Sequence, residues 1–286
     1  MEKERGWFDW VFEFVTEPLR EAERDRDDFL ASGRGSRFDR EVAGVLVLVA
    51  VVLTLQEYLL RPGGYGWLVL WLDARFPAAD IGETWLSFEN HAFGYLLYWA
   101  CGQSFLYLIP PILFVRFVLK KSLPEYGLKL GGAFSLWGLY LGMLAVMVPI
   151  VFLVSRSEGF QHTYPFFEPG ADEPLWPRFW FWEAAYFLQF VGLEFFFRGF
   201  LLHGTRRRFG AYAIFVMMVP YCMIHFGKPM PETFAAIAAG IILGFMSLKT
   251  RSVLMGAALH VSVAMTMDLC ALWRAGRFDL AGAPHF

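Results

Sequence analysis

From Phe179 to Leu202 the chain is apolar and long enough to cross a bilayer, yet Glu194 and Arg198 lie inside the run. No other feature restricts the fold as strongly. A bilayer offers no partner to open backbone N–H and C=O groups, so such a run must be a helix with its bonds closed internally. Residues four apart share a helix face, which lets Glu194 and Arg198 pair. An ionisable residue at membrane depth is costly and marks a functional site by default.

Composition supports the membrane class. The chain is 57% hydrophobic and 19% aromatic, too apolar for an ordinary soluble domain. A net charge of −2 gives no basis for binding nucleic acid. Cys101, Cys222 and Cys270 all lie in apolar runs without zinc-type spacing and read as buried small hydrophobes. The charged N-terminus lacks a signal-peptide pattern, so the first membrane helix is expected to serve as its own insertion signal.

The pattern predicts an all-α polytopic membrane protein of about seven transmembrane helices with an intramembrane polar cavity. The expected spans are Val42–Leu60, Ala92–Val118, Phe134–Val154, Phe179–Leu202, Tyr212–His225, Phe234–Leu248 and Val253–Trp273. Segments 61–91 and 155–177 read as loops at the interface. Trp7, Phe8, Trp10 and Phe12, interspersed with Asp9 and Glu13, suit an interfacial helix. The charged residues 20–40 read as a solvated, partly flexible connector. The chain divides into an N-terminal segment (1–41), N-terminal membrane helices with their loops (42–174), a core (175–272) and a tail (273–286). Gly240 and Gly244 would let the sixth helix approach a neighbour closely. Basic residues concentrate in the N-terminal segment, at Arg116–Lys129, at Arg206–Arg208 and at Lys249–Arg251. The positive-inside rule then gives a cytoplasmic N-terminus and an external C-terminus in the cell (inner) membrane.

Other polar groups fall where they could meet Glu194. His225 ends the fifth helix and His260 lies within the seventh. Counting 1.5 Å per residue from the nearest basic anchor puts Glu194 roughly 18 Å deep, His260 roughly 14 Å and His225 roughly 25 Å, so the three can converge. Asp268 lies two turns beyond His260 and could orient it; the other reading is a capping or interfacial acid. Glu232 reads as an acid in the first turn of the sixth helix, Glu183 as interfacial, and His203 as interfacial beside Arg206–Arg208. A desolvated carboxylate can take a proton from water, and an imidazole can hold that water or stabilise an oxyanion. Glu194, His225 and His260 could instead hold zinc, although no His-Glu-x-x-His helix is present. The first choice is chemistry with no required cofactor.

These residues resemble the CPBP family, which includes type-II CAAX prenyl endopeptidases and bacteriocin-processing and abortive-infection membrane proteins. The family's motifs are Glu-Glu-x-x-x-Arg, Phe-x-x-x-His and His-x-x-x-Asn/Asp on successive helices. They align here with Leu193-Glu194-x-x-x-Arg198, Tyr221-x-x-x-His225 and His260-x-x-x-Ala264. Leu193 stands where the family has its first glutamate, and Ala264 where it has Asn or Asp. The likeness covers roughly residues 175–272 and is similar to a sorting-type branch of the family. It implies an intramembrane endopeptidase that cuts near the C-terminus of a membrane-anchored, prenylated or sorted protein. Glu194, His225 and His260 would be catalytic, with Arg198 and Asp268 in support. The alternative it leaves is an inactive binding or immunity protein on the same scaffold. A proton-coupled transporter ranks last, because the chain shows no internal repeat.

Overall fold

The structure, a computed structural model, describes residues 7–33, 38–170 and 173–277. Parts of the expected N-terminal segment and of the C-terminal tail, residues 1–6, 34–37 and 278–286, therefore lie outside the described residues. Every regular element among the described residues is helical. Six stretches are long and apolar enough to span a membrane: Arg40–Leu59, His91–Val118, Ala133–Val154, Arg178–Met223, Met230–Thr250 and Leu254–Arg274. They match the seven expected spans within a few residues, because Arg178–Met223 contains both the fourth and the fifth. It is also the most enclosed, 78% buried over its apolar window against 11% for Ala133–Val154.

The chain forms two compact units, each discontinuous in sequence. The first comprises Met1–Val49, Pro111–Leu136 and Glu194–Gly256. It begins with α1 (Trp7–Ala31), which runs unbroken through most of the stretch expected to be a connector. The charges that suggested solvation are instead anchors. Glu17 pairs with Lys249 at 3.1 Å, Glu21 with Arg251 at 2.6 Å and Asp25 with Arg206 at 3.2 Å. The helix is thus packed on the protein while Trp7, Phe8, Trp10 and Phe12 stay exposed at its start, as an interfacial helix requires.

α9 (Leu202–Phe209) ends at Gly210, whose φ of 57° favours a residue without Cβ. A Cβ there would also come within 2.4 Å of Glu23 Oε1, the atom that accepts the Ala211 N–H at 2.7 Å. The chain then enters α10 (Ala213–Met223), which packs on α11 (Met230–Thr250). Gly240 and Gly244 set that approach, since a Cβ on either would stand 2.9 Å from Met218 Cγ or Met217 Cε. Pro229 and Pro231 start α11 and Glu232 occupies its first turn.

The second unit comprises Ala50–Pro110, Trp137–Leu193 and Ala257–Phe286. Its core is aromatic: Trp182 stacks on Tyr186 at 4.9 Å, Tyr186 meets Phe190 at 4.6 Å and Phe93 meets Phe167 at 5.2 Å. The segment expected as the loop 61–91 contains α3 (Pro62–Arg75) and the short α4 (Ile81–Trp85). Pro62 starts α3, and the Tyr65 hydroxyl ties it to the Trp85 carbonyl at 2.8 Å. The other expected loop, 155–177, holds the short α7 (Glu158–Thr163). α6 (Trp137–Val154) exposes Leu139, Leu141, Val146 and Leu153, as a lipid-facing helix would.

Two expectations follow. A Cβ on Gly199 would stand 2.6 Å from the Tyr126 carbonyl oxygen and 2.8 Å from the Phe195 ring, whereas one on Gly142 meets nothing within 4 Å. Gly199→Ala should lower the Tm in detergent, at a cost of about 1–3 kcal/mol, and Gly142→Ala should not; equal values would contradict the packing. The anchors of α1 are part-exposed and therefore screened by salt. Replacing Glu17, Glu21 and Asp25 by their amides should speed release of the N-terminal segment in limited trypsin digestion. Unchanged digestion would show that the ion pairs do not hold the helix.

Candidate active site

Glu194 is the last residue of α8 (Arg178–Glu194), and Phe195–Leu201 continue it as a π-helix, a widened turn often found at functional sites. Three consecutive phenylalanines, Phe195–Phe197, are fully buried around it. The Glu194 and Arg198 side chains are 1% and 0% exposed, and Oε1 lies 3.0 Å from Nη1. Nη1 is in ion contact but not aligned as a hydrogen bond, and Nε has no acceptor among the described residues. The guanidinium is held largely by the face of Tyr221, with Cζ 3.8 Å from the ring centroid. Nη2 reaches the Ala239 carbonyl only at 3.5 Å.

Tyr221 links this pair to the histidine of the next motif. Its ring meets that of His225 edge-on at 4.8 Å, and its carbonyl lies 2.9 Å from His225 Nδ1. A carbonyl can only accept, so Nδ1 carries the proton and Nε2 is the basic nitrogen of the ring. Thr233 Oγ1 donates to the His225 carbonyl at 3.0 Å and fixes the turn after α10. On α12 (Leu254–Arg274), Gly256 leaves room for the carboxylate: a Cβ there would stand 3.0 Å from Glu194 Oε2. The first unit thus brings together Glu194, Arg198, Tyr221, His225 and Gly256.

His260 and Asp268 belong to the second unit. The His260 ring stacks on Phe190 at 4.6 Å with an interplanar angle of 27°. Asp268 is fully buried and interacts with Glu183, itself 1% exposed. Glu183, expected as an interfacial acid, is thus enclosed in the protein near a residue 85 places later in the chain. Asp268, expected either to orient His260 or to sit at the interface, is enclosed in the protein. Ala264 lies in an apolar cluster with Phe190, Tyr186 and Trp182, and Leu193 is also buried.

Glu232 pairs with Lys228 at 2.9 Å in the first turn of α11. His203, expected beside Arg206–Arg208 at the interface, is buried in the protein, 7% exposed, with Nε2 3.1 Å from Ser247 Oγ. Ser247, on the neighbouring α11, draws it inward. The sequence reading missed the roles of Gly256 and Tyr221. The available signals were a small residue four places before His260 and an aromatic four places before His225. Among the described residues, no three His, Cys, Asp or Glu side chains are grouped so as to hold a metal ion.

Residues 174–266 match the family model described as Type II CAAX prenyl endopeptidase Rce1-like. No curated protein and no solved structure matches the chain. The matched stretch contains Glu194, Arg198, Tyr221, His225, Glu232, Gly256 and His260, and stops just short of Asp268. The stretch that carries the motifs, residues 174–266, is thus similar to the Rce1-like, type II CAAX prenyl endopeptidases, and it lies within an integral membrane protein.

Proposed function

We propose that the protein is an intramembrane endopeptidase that hydrolyses a peptide bond near the C-terminus of a membrane-anchored protein, prenylated or C-terminally sorted. The observation that carries this reading is the buried carboxylate of Glu194, given space by Gly256, inside the segment that matches a protease family. Glu194 takes the proton of the attacking water, and the basic Nε2 of His225 helps to hold and polarise that water. Arg198 compensates the charge of Glu194 and is itself held by Tyr221. On this reading His260 stabilises the oxyanion of the tetrahedral intermediate. No step is routed through a metal. The distribution of Lys and Arg supports a cytoplasmic N-terminus in the cell membrane.

A second reading has its own support: Leu193 and Ala264 replace polar residues of the motifs, and Ala264 has apolar neighbours. On that reading the protein binds a membrane partner, as an immunity protein would, without cutting it.

A cleavage assay in liposomes on a library of membrane-anchored and prenylated peptides separates the two. Glu194→Gln should reduce cleavage by about 10²–10⁴-fold, as should His225→Ala, while chelator leaves the wild type active. Cleavage that survives Glu194→Gln would refute the proposal. Loss in chelator with rescue by zinc would make the same residues ligands instead. Binding of a peptide with no cleavage by the wild type would favour the second reading. Gly256→Val should displace the Glu194 carboxylate and cost about 10²-fold in turnover, with a smaller loss in Gly256→Ala. Equal rates in all three proteins would show that the gap does not position Glu194.

A further inference from the structure

A cavity of about 700 Å³ in the first unit has no part in the chemistry above. Its walls come from the second half of α1, the start of α2 (Arg40–Leu59), the 121–129 segment and α9. Its volume is that of a small-molecule site. The lining acids already have partners. Asp39 accepts the N–H groups of Glu41 and Val42 at 3.1 Å, and Glu125 accepts the N–H and the hydroxyl of Ser122. Glu41 pairs with Lys121, and Glu21 with Arg251. The cations are in excess: Arg40, Lys129 and Arg207 line the cavity and form no ion pair among the described residues.

Two buried atoms on the wall specify a ligand more narrowly. Arg206 Nη1 and His203 Nδ1 have no hydrogen-bond partner among the described residues, and both residues line the cavity. Ser247 Oγ donates to the Arg198 carbonyl at 3.1 Å, so its 3.1 Å contact with His203 has Nε2–H as donor. Nδ1 is then an acceptor, enclosed at the wall with nothing to accept from. Leaving such groups unsatisfied costs about 1–3 kcal/mol each. The cavity therefore presents cationic donors for a negative oxygen and, next to them, an acceptor for a hydroxyl. Phe29, Phe38 and Val42 add apolar surface, and the exposed aromatic residues of α1 place the same helix at a lipid surface.

We propose that this cavity binds a phosphate group carried on a hydroxylated backbone, the chemistry of a phosphoglycerol unit. Arg206, Arg207 and Lys129 contact the phosphate oxygens, and His203 Nδ1 accepts from the hydroxyl. The group comes from a lipid headgroup or from a soluble polyol phosphate, and the two sources can be told apart.

The test uses the full chain in phosphatidylcholine nanodiscs, with lipid retention read by native mass spectrometry. Phosphatidylglycerol should be retained at least tenfold over phosphatidylcholine, and over phosphatidic acid, which lacks the hydroxyl. Arg207→Gln combined with Lys129→Gln should remove the preference over phosphatidylcholine. Both side chains are at least part-exposed, so the fold tolerates the change, and an unchanged Tm confirms it. His203→Phe should remove only the preference over phosphatidic acid. Displacement of the lipid by soluble glycerol 3-phosphate would assign the soluble source; retention against it would assign the headgroup. Equal retention of all three lipids with no binding of glycerol 3-phosphate, or a preference that survives Arg207→Gln/Lys129→Gln, would overturn the proposal.

Discussion

A carboxylate and a guanidinium, both without solvent exposure, form the constraint around which the rest of this protein is arranged. Burying an ion pair gains little by itself, because desolvation offsets the attraction, whereas removing one partner strands a charge at a cost of about 3–5 kcal/mol. The surroundings of Glu194 and Arg198 must therefore compensate both. Tyr221 supplies a ring face to the cation, the π-helical turn carries Arg198, and Gly256 withholds a side chain where the carboxylate needs space. Gly199 sits against the Tyr126 carbonyl in the same turn, which leaves the π stretch no room to shift. Such close packing around an unfavourable pair is consistent with a group retained for chemistry.

Each unit contains one buried pair of charged residue types, and the two differ in kind. Glu194 and Arg198 compensate each other, whereas Glu183 and Asp268 are both acids. The first unit also links its pair to the lining of the proposed phosphate cavity. His203 donates to Ser247, and Ser247 donates to the carbonyl of Arg198. An occupant at His203 would thus act on the turn that carries Arg198 through two hydrogen bonds.

The helices were legible because hydropathy fixes where a chain can cross a bilayer, and Glu194, Arg198, His225 and His260 stood out as polar residues in apolar runs. What stayed hidden depends on residues far apart in the chain. Residues 20–31 looked like a solvated connector because their anchors, Arg206 and Arg251, lie about 180–230 positions away. His203 looked interfacial until Ser247, 44 positions on, was found against it. The burial of Glu183 was hidden for the same reason. Gly256 had no signal of its own, since the need for a missing side chain appears only when the neighbouring carboxylate is in place.

The most direct test of the central claim is a census of protein C-termini in the membranes of cells that express either the wild type or Glu194→Gln at equal levels, read by mass spectrometry. The account predicts that wild-type cells contain membrane-anchored proteins shortened at their C-termini, and that cells with the variant retain the same proteins at full length. Identical sets of C-termini in the two populations would contradict it, and would leave the buried Glu194 as a structural charge.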